Sequence, residues 1–192
     1  MNLNQLKRTA VGLAVASAAL AAGSAQAYQM TLNVAGIESR DELGALDAVF
    51  APINETRFLD LFAGARVTGL AWNVSLFTNG VSWLSEISVD FNDGGAAGVS
   101  LSPGFGDNDS GAADYTGSAD LMALGVDFTV GASGRLFMEF FESFNDFAGV
   151  DGVWRSGSLT VTYVPEPTSF GLAAIALLGL GAASRRRRQL PG

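Results

Sequence analysis

Carboxylates are the chemistry this sequence has to offer. There are 19 acidic residues and neither histidine nor cysteine, so imidazole bases, thiolate nucleophiles, redox pairs and nearly all zinc, copper and haem sites are excluded. Hard cations bind several oxygens spaced at alternating loop positions, and Asp107-Asn108-Asp109-Ser110-Gly111 resembles the start of such a calcium loop. The pattern is incomplete, because Gly111 stands where a third ligand belongs and Ser118 occupies the twelfth position. Asp and Asn in a Gly-rich stretch are also turn formers. Asp90, Asn92 and Asp93 form a second oxygen-rich turn, and Asp146 and Asp151 bracket a third. Two acids flanking a sugar bond would suffice for a glycoside hydrolase, but sequence spacing does not give their separation. A carbohydrate-binding or adhesin module would instead use an exposed aromatic, and Trp154, beside Arg155 in a Gly-rich stretch, is the candidate.

The charge is unevenly spread. Lys7, Arg8 and Arg185 to Arg188 make up six of the 11 positive residues, and all lie near the ends. Residues 28–167 keep the other five and all 19 acids, a net charge of 5 − 19 = −14. Such a surface repels phosphates, so no nucleic-acid partner is expected, and it suits solubility or divalent cations.

The elements that must position these groups fall into five stretches. Residues 1–27 read as a secretory signal peptide: Lys7 and Arg8, an apolar run from Ala10 to Ala22, then Ala25-Gln26-Ala27 with small residues at both recognition positions. Cleavage there makes Tyr28 the first residue of the exported chain. Residues 28–163 leave room for one domain of roughly 135 residues, large enough to fold without metal or disulfide. Residues 164–169, Val164-Pro165-Glu166-Pro167-Thr168-Ser169, form an extended linker, since its prolines block helix and strand alike. Residues 170–184 carry no charge and read as a transmembrane helix, roughly 22 Å long before its flanks are added. Residues 185–192 form a basic tail, in which Arg185, Arg186, Arg187 and Arg188 resist crossing the bilayer and hold that end in the cytoplasm.

Val164-Pro165-Glu166-Pro167 followed by a short Gly/Ala/Leu helix and an arginine cluster resembles the PEP-CTERM sorting signal, over about 25 of 192 residues. The same signal is also named after ice-binding proteins that carry it. The resemblance implies exosortase as a partner, an inner-membrane stage, and delivery to the surface or exopolysaccharide matrix of a Gram-negative cell. It implies nothing about the domain's own activity.

Between the ends the dominant period is two, punctuated by Gly, Asn, Asp and Ser, which predicts an all-β fold, a β-sandwich or jelly roll of eight or so strands. Leu70, Trp72, Val74 and Leu76 alternate with polar or small residues, Trp83, Ile87, Val89 and Phe91 repeat the pattern against Leu84, Glu86, Ser88 and Asp90, and Thr78-Asn79-Gly80 between the two runs predicts a hairpin. Further strands are expected over 29–34, 56–62, 98–101, 125–130, 135–142 and 156–164. Leu136 to Phe141 is apolar on both faces, as in a central strand. One short helix is expected after the capping-box spacing of Ser39-Arg40-Asp41-Glu42, with Leu43, Leu46, Val49 and Phe50 on its buried face. No internal repeat is visible. The function expected from all this is an exported, non-enzymatic structural or interaction domain, with no cofactor unless calcium.

Overall fold

The structure, a computed structural model, describes residues 26–46, 53–146 and 149–165. Two antiparallel sheets face each other. The strands are β1 (Tyr28–Asn33), β2 (Ile37–Ser39), β3 (Glu55–Asp60), β4 (Arg66–Thr78), β5 (Ile87–Asn92), β6 (Gly98–Leu101), β7 (Ala112–Asp120), β8 (Phe128–Thr129), β9 (Arg135–Glu142) and β10 (Gly152–Val164). One sheet has the order β1-β10-β4-β7, with β2 also on β10 and β8 also on β4; the other runs β3-β9-β5-β6. The molecule is a β-sandwich, and the eight main strands follow the wrapping order of a jelly roll.

Period-two alternation is what closes it. On β9, Leu136, Met138 and Phe140 point inward with no exposed surface, and Ile87, Val89 and Phe91 do the same on β5. They meet Val67, Leu70, Val74 and Leu76 of β4 and Leu159 and Val161 of β10 across the sandwich. Each such side chain contributes about 1.5 to 3 kcal/mol on burial. Trp154 joins the sheets, its indole edge-on to the Phe140 ring at 5.3 Å and 87°.

The hairpin expected around Thr78-Asn79-Gly80 does not form: β4 and β5 lie in opposite sheets, and residues 79–86 carry the chain across the sandwich. Strands that face each other across a core share the alternation of strands that pair, so the pattern cannot tell the two apart. Trp83 leaves the buried phase and is half exposed, while its neighbour Leu84 is buried.

The helix expected from Ser39 is absent over residues 40–46, and Val49 and Phe50 lie outside the described residues. The groups it needed are engaged sideways. Ser39 accepts the Asp151 amide on its carbonyl and the Trp154 indole N–H on Oγ, Asp41 accepts the Glu142 amide, and the Asp41 amide donates to Asn54 Oδ1. The short helix that does form is α1 (Leu121–Leu124), capped by the Asp120 carboxylate and closed by Gly125 at φ 70°. The strand expected over 125–130 shortens to Phe128–Thr129, which pairs with β4, because Gly125 is taken up in closing the helix.

Candidate functional site

Each strand of the sandwich runs between two ends, and the two ends differ in chemistry. At one, β1 begins opposite the finish of β10, with Tyr28 paired to Tyr163. Their rings stack at 5.9 Å, and Phe62 closes edge-on against Tyr28 at 5.8 Å. Tyr28 is thus locked in place from the first residue of the strand, and the proposed cleavage after Ala27 falls just outside the sheet. Val164 is the last residue of β10 and Pro165 follows, so the linker starts where pairing stops. The chain therefore enters β1 and leaves β10 at one end of the sandwich, on adjacent strands. Ala25, Glu166, Pro167 and Arg185 to Arg188 lie outside the described residues, as does the expected helix 170–184. Among the described residues no helix is long and apolar enough to cross a membrane.

The opposite end gathers acids. Glu142, in the inward phase of β9, ends the core with no exposed surface, and neither carboxylate oxygen has a hydrogen-bond partner. Its packing is close: a β-carbon on Gly152 would overlap Glu142 Oε1 and the Ile87 side chain. Burial, then the negative charges of Asp151, Glu86 and Asp146, push its pKa up to about 9. Glu142 is therefore a neutral carboxylic acid at pH 7. Glu86 is raised too, by burial first, partly offset by the Trp83 amide, which donates to Glu86 Oε2 at 2.7 Å. Asp151 is fully buried and accepts the Asp146 amide on Oδ2 at 3.0 Å, so the pair that brackets the third acidic loop does come together. In the sequence Glu142 is marked only by being a glutamate in phase with Leu136, Met138 and Phe140.

Asp107 and Asp109 share a loop, and their oxygens are used within the protein. Asp107 Oδ1 accepts the Asp109 amide at 3.2 Å, and Oδ2 accepts the Tyr115 hydroxyl at 2.6 Å. Burial and that carboxylate raise the Tyr115 pKa. The backbone carbonyls of Asp107 and Asp109 accept the amides of Ser85 and Leu84, tying the loop to the 79–86 crossing. Asp90 accepts from Asn92 Nδ2 and Ser100 Oγ, both at 2.7 Å, and Asp93 from the Gly95 amide. Among the described residues no group of three or more acids is placed to hold a metal ion. Trp154, the expected exposed aromatic, has no exposed surface and donates its N–H to Ser39 Oγ, so it is a core residue and touches no ligand.

An all-β sandwich followed at once by a proline-punctuated segment defines a domain with a tail that is handled separately. That tail is the PEP-CTERM protein-sorting motif, matched over residues 164–188, and the chain is an exosortase-targeted exported protein. No curated protein matches the chain. Among solved structures the chain resembles the cyanophage Pam1 capsid asymmetric unit at 17% identity and TM-score 0.35, covering 72% of this chain and 83% of that one. It also resembles the infectious bursal disease virus VP2 subviral particle at 14% identity and TM-score 0.35, covering 73% of this chain and 33% of that one. The ANX2 ectodomain from Arabidopsis thaliana follows at 7% identity and TM-score 0.28, covering 69% of this chain and 41% of that one. At these scores the likenesses carry no argument about function.

Proposed function

We propose that the β-sandwich is a non-enzymatic structural or interaction domain, exported by the signal peptide 1–27 and held in the inner membrane by 170–184 and its arginines. Exosortase then cuts it free near 164–169 and it passes to the cell surface or polysaccharide matrix. The observation that carries this reading is the match of the sorting motif to residues 164–188, beginning at the last residue of β10. The burial pattern supports a non-enzymatic domain. Glu142 has the raised pKa of a general acid, yet its carboxyl is sealed beneath Gly152 and Ile87, out of reach of any polymer.

Intact mass spectrometry of the extracellular protein tests this directly. The expected product starts at Tyr28 and ends between Val164 and Ser169. Replacing Pro165, Glu166 and Pro167 together by alanine leaves the apolar stretch and arginines in place, and should trap full-length protein in the inner membrane. Normal cleavage of that variant would refute sorting by the motif.

A further inference from the structure

Strand β10 carries an irregularity that the sandwich does not need. Trp154 pairs with Leu76 and Ser156 with Ser75, so two steps along β10 match one along β4 and Arg155 is the extra residue. This is a β-bulge, a device that re-aims side chains and often lies beside binding sites. Its effect is plain in the exposure pattern. Trp154 stays in the core while Arg155 and Ser156, consecutive residues, are both exposed on the outer face. Gly157 absorbs the extra residue at φ 107°, where a β-carbon would overlap the carbonyl oxygen of Asn73. The backbone there adopts a conformation that only glycine takes readily.

The residue so displayed differs from its kind. Arg40 pairs with Glu38, Arg57 with Glu55, Arg66 with Asp127 and Arg135 with Asp60. Arg155 alone of the arginines among the described residues forms no ion pair, in a stretch whose net charge is −14. It borders an open groove of about 420 Å³ lined by Ser75, Ala112, Ala113, Asp114 and Ser156. Ser75 pairs with Ser156 on one side and with Asp114 on the other, which puts two hydroxyls and a carboxylate in one row at strand spacing, ~4.8 Å apart.

We propose that this groove binds a carboxylate-bearing sugar, a hexuronate unit within an oligosaccharide. The guanidinium fork matches a carboxylate with two parallel hydrogen bonds. Ser75, Ser156 and Asp114 then exchange hydrogen bonds with the hydroxyls on either side, and the small, exposed Ala112 leaves room for the ring. The acceptor-only oxygens of Asp114 call for a hydroxyl-rich ligand over inorganic phosphate or a peptide carboxylate. The proposal supplies a ligand for the interaction role above and rests on that reading only for where the ligand is met, because binding by purified protein is independent of export.

The test is calorimetric titration of the full-length chain in non-ionic detergent with trigalacturonate, alongside maltotriose, inorganic phosphate and an N-acetylated tripeptide acid. Saturable binding of trigalacturonate is expected, at least tenfold tighter than the other three. Arg155→Ala should weaken it tenfold or more, with Arg155→Lys in between, while thermal melts of both variants match wild type because the side chain is exposed. Absence of saturable trigalacturonate binding at millimolar concentration would overturn the proposal. So would comparable binding of maltotriose, phosphate or the peptide, or an Arg155→Ala variant that binds as wild type does.

Discussion

Replacing Glu142 by glutamine should stabilise the domain, by an amount that grows with pH. The folded carboxyl has a pKa of about 9 against an ordinary 4.5, and it is fully buried. Below pH 4.5 it is protonated in both folded and unfolded chains and has no effect on pH dependence. Above that the unfolded chain gives up its proton and the folded one keeps it, so stability falls by about 1.4 kcal/mol per pH unit until about pH 9. At pH 7 the loss from this group comes to about 3 kcal/mol, and by pH 8 to nearly 5. Glutamine has the same shape and the same unpartnered surroundings but does not titrate. The two proteins should therefore melt alike near pH 4.5 and diverge above it. For a domain of this size ~1 kcal/mol moves the melting temperature by about 3 to 4 °C, which puts the pH 7 gap near 10 °C. Thermal melts followed by circular dichroism from pH 4.5 to 8.5 measure it. The general self-repulsion of the acidic surface acts on both proteins and cancels in the difference. Parallel curves across that range would refute the claim that the fold holds Glu142 protonated.

Three further outcomes are expected. N-terminal sequencing of the exported protein should begin at Tyr28, and a start before Leu20 would remove the signal-peptide assignment. Trp154→Ala should cost about 3 to 5 kcal/mol in urea unfolding, because an indole with no exposed surface and an edge-on Phe140 contact leaves a cavity; a loss under 1 kcal/mol would contradict its place in the core. Calcium at millimolar concentration should raise the melting temperature no more than magnesium, since Asp107 already binds the Asp109 amide and the Tyr115 hydroxyl; a calcium-specific rise abolished by Asp107→Asn would show a cation taking those oxygens instead.

How far the sequence could be read depended on whether a signal was local. Strands β6 and β9 were found at their observed bounds because β-branched or aromatic residues alternate within them and glycine or charge bounds them. Strand β7 was missed, since its inward positions are Ala113, Tyr115, Gly117 and Ala119 and give almost no apolar rhythm. Its partner explains the choice of residues: Trp72 of β4 lies over Gly117, where any β-carbon would overlap the indole ring. The large side chain on one strand required a small one on the next, and that is a pairwise fact invisible in either strand alone. The false helix after Ser39 has the converse cause. Its capping box was a sound local pattern, overridden because Asp151, Trp154, Glu142 and Asn54, all distant in sequence, use the same polar groups. The sorting tail was legible because its parts are contiguous. The acidic end and the Arg155 groove were not, because their members come from three or more strands and loops.

Strand β10 links the two halves of the functional reading. It runs from Gly152 to Val164, with the bulge at its start and the sorting motif at its finish. Val164 lies nine positions beyond Arg155, and at about 3.3 Å per residue the groove stands ~30 Å from the point where the linker leaves the sheet. That length is comparable to the hydrocarbon thickness of a bilayer. Whatever becomes of the tail, the groove lies near the end of the strand opposite the linker, on the outer face of its sheet. The proposed ligand would therefore reach the groove whether or not the tail has been cut. It follows that the Pro165-Glu166-Pro167 alanine variant, though unprocessed, should bind trigalacturonate with the affinity of wild type, and this separates recognition from sorting within one chain.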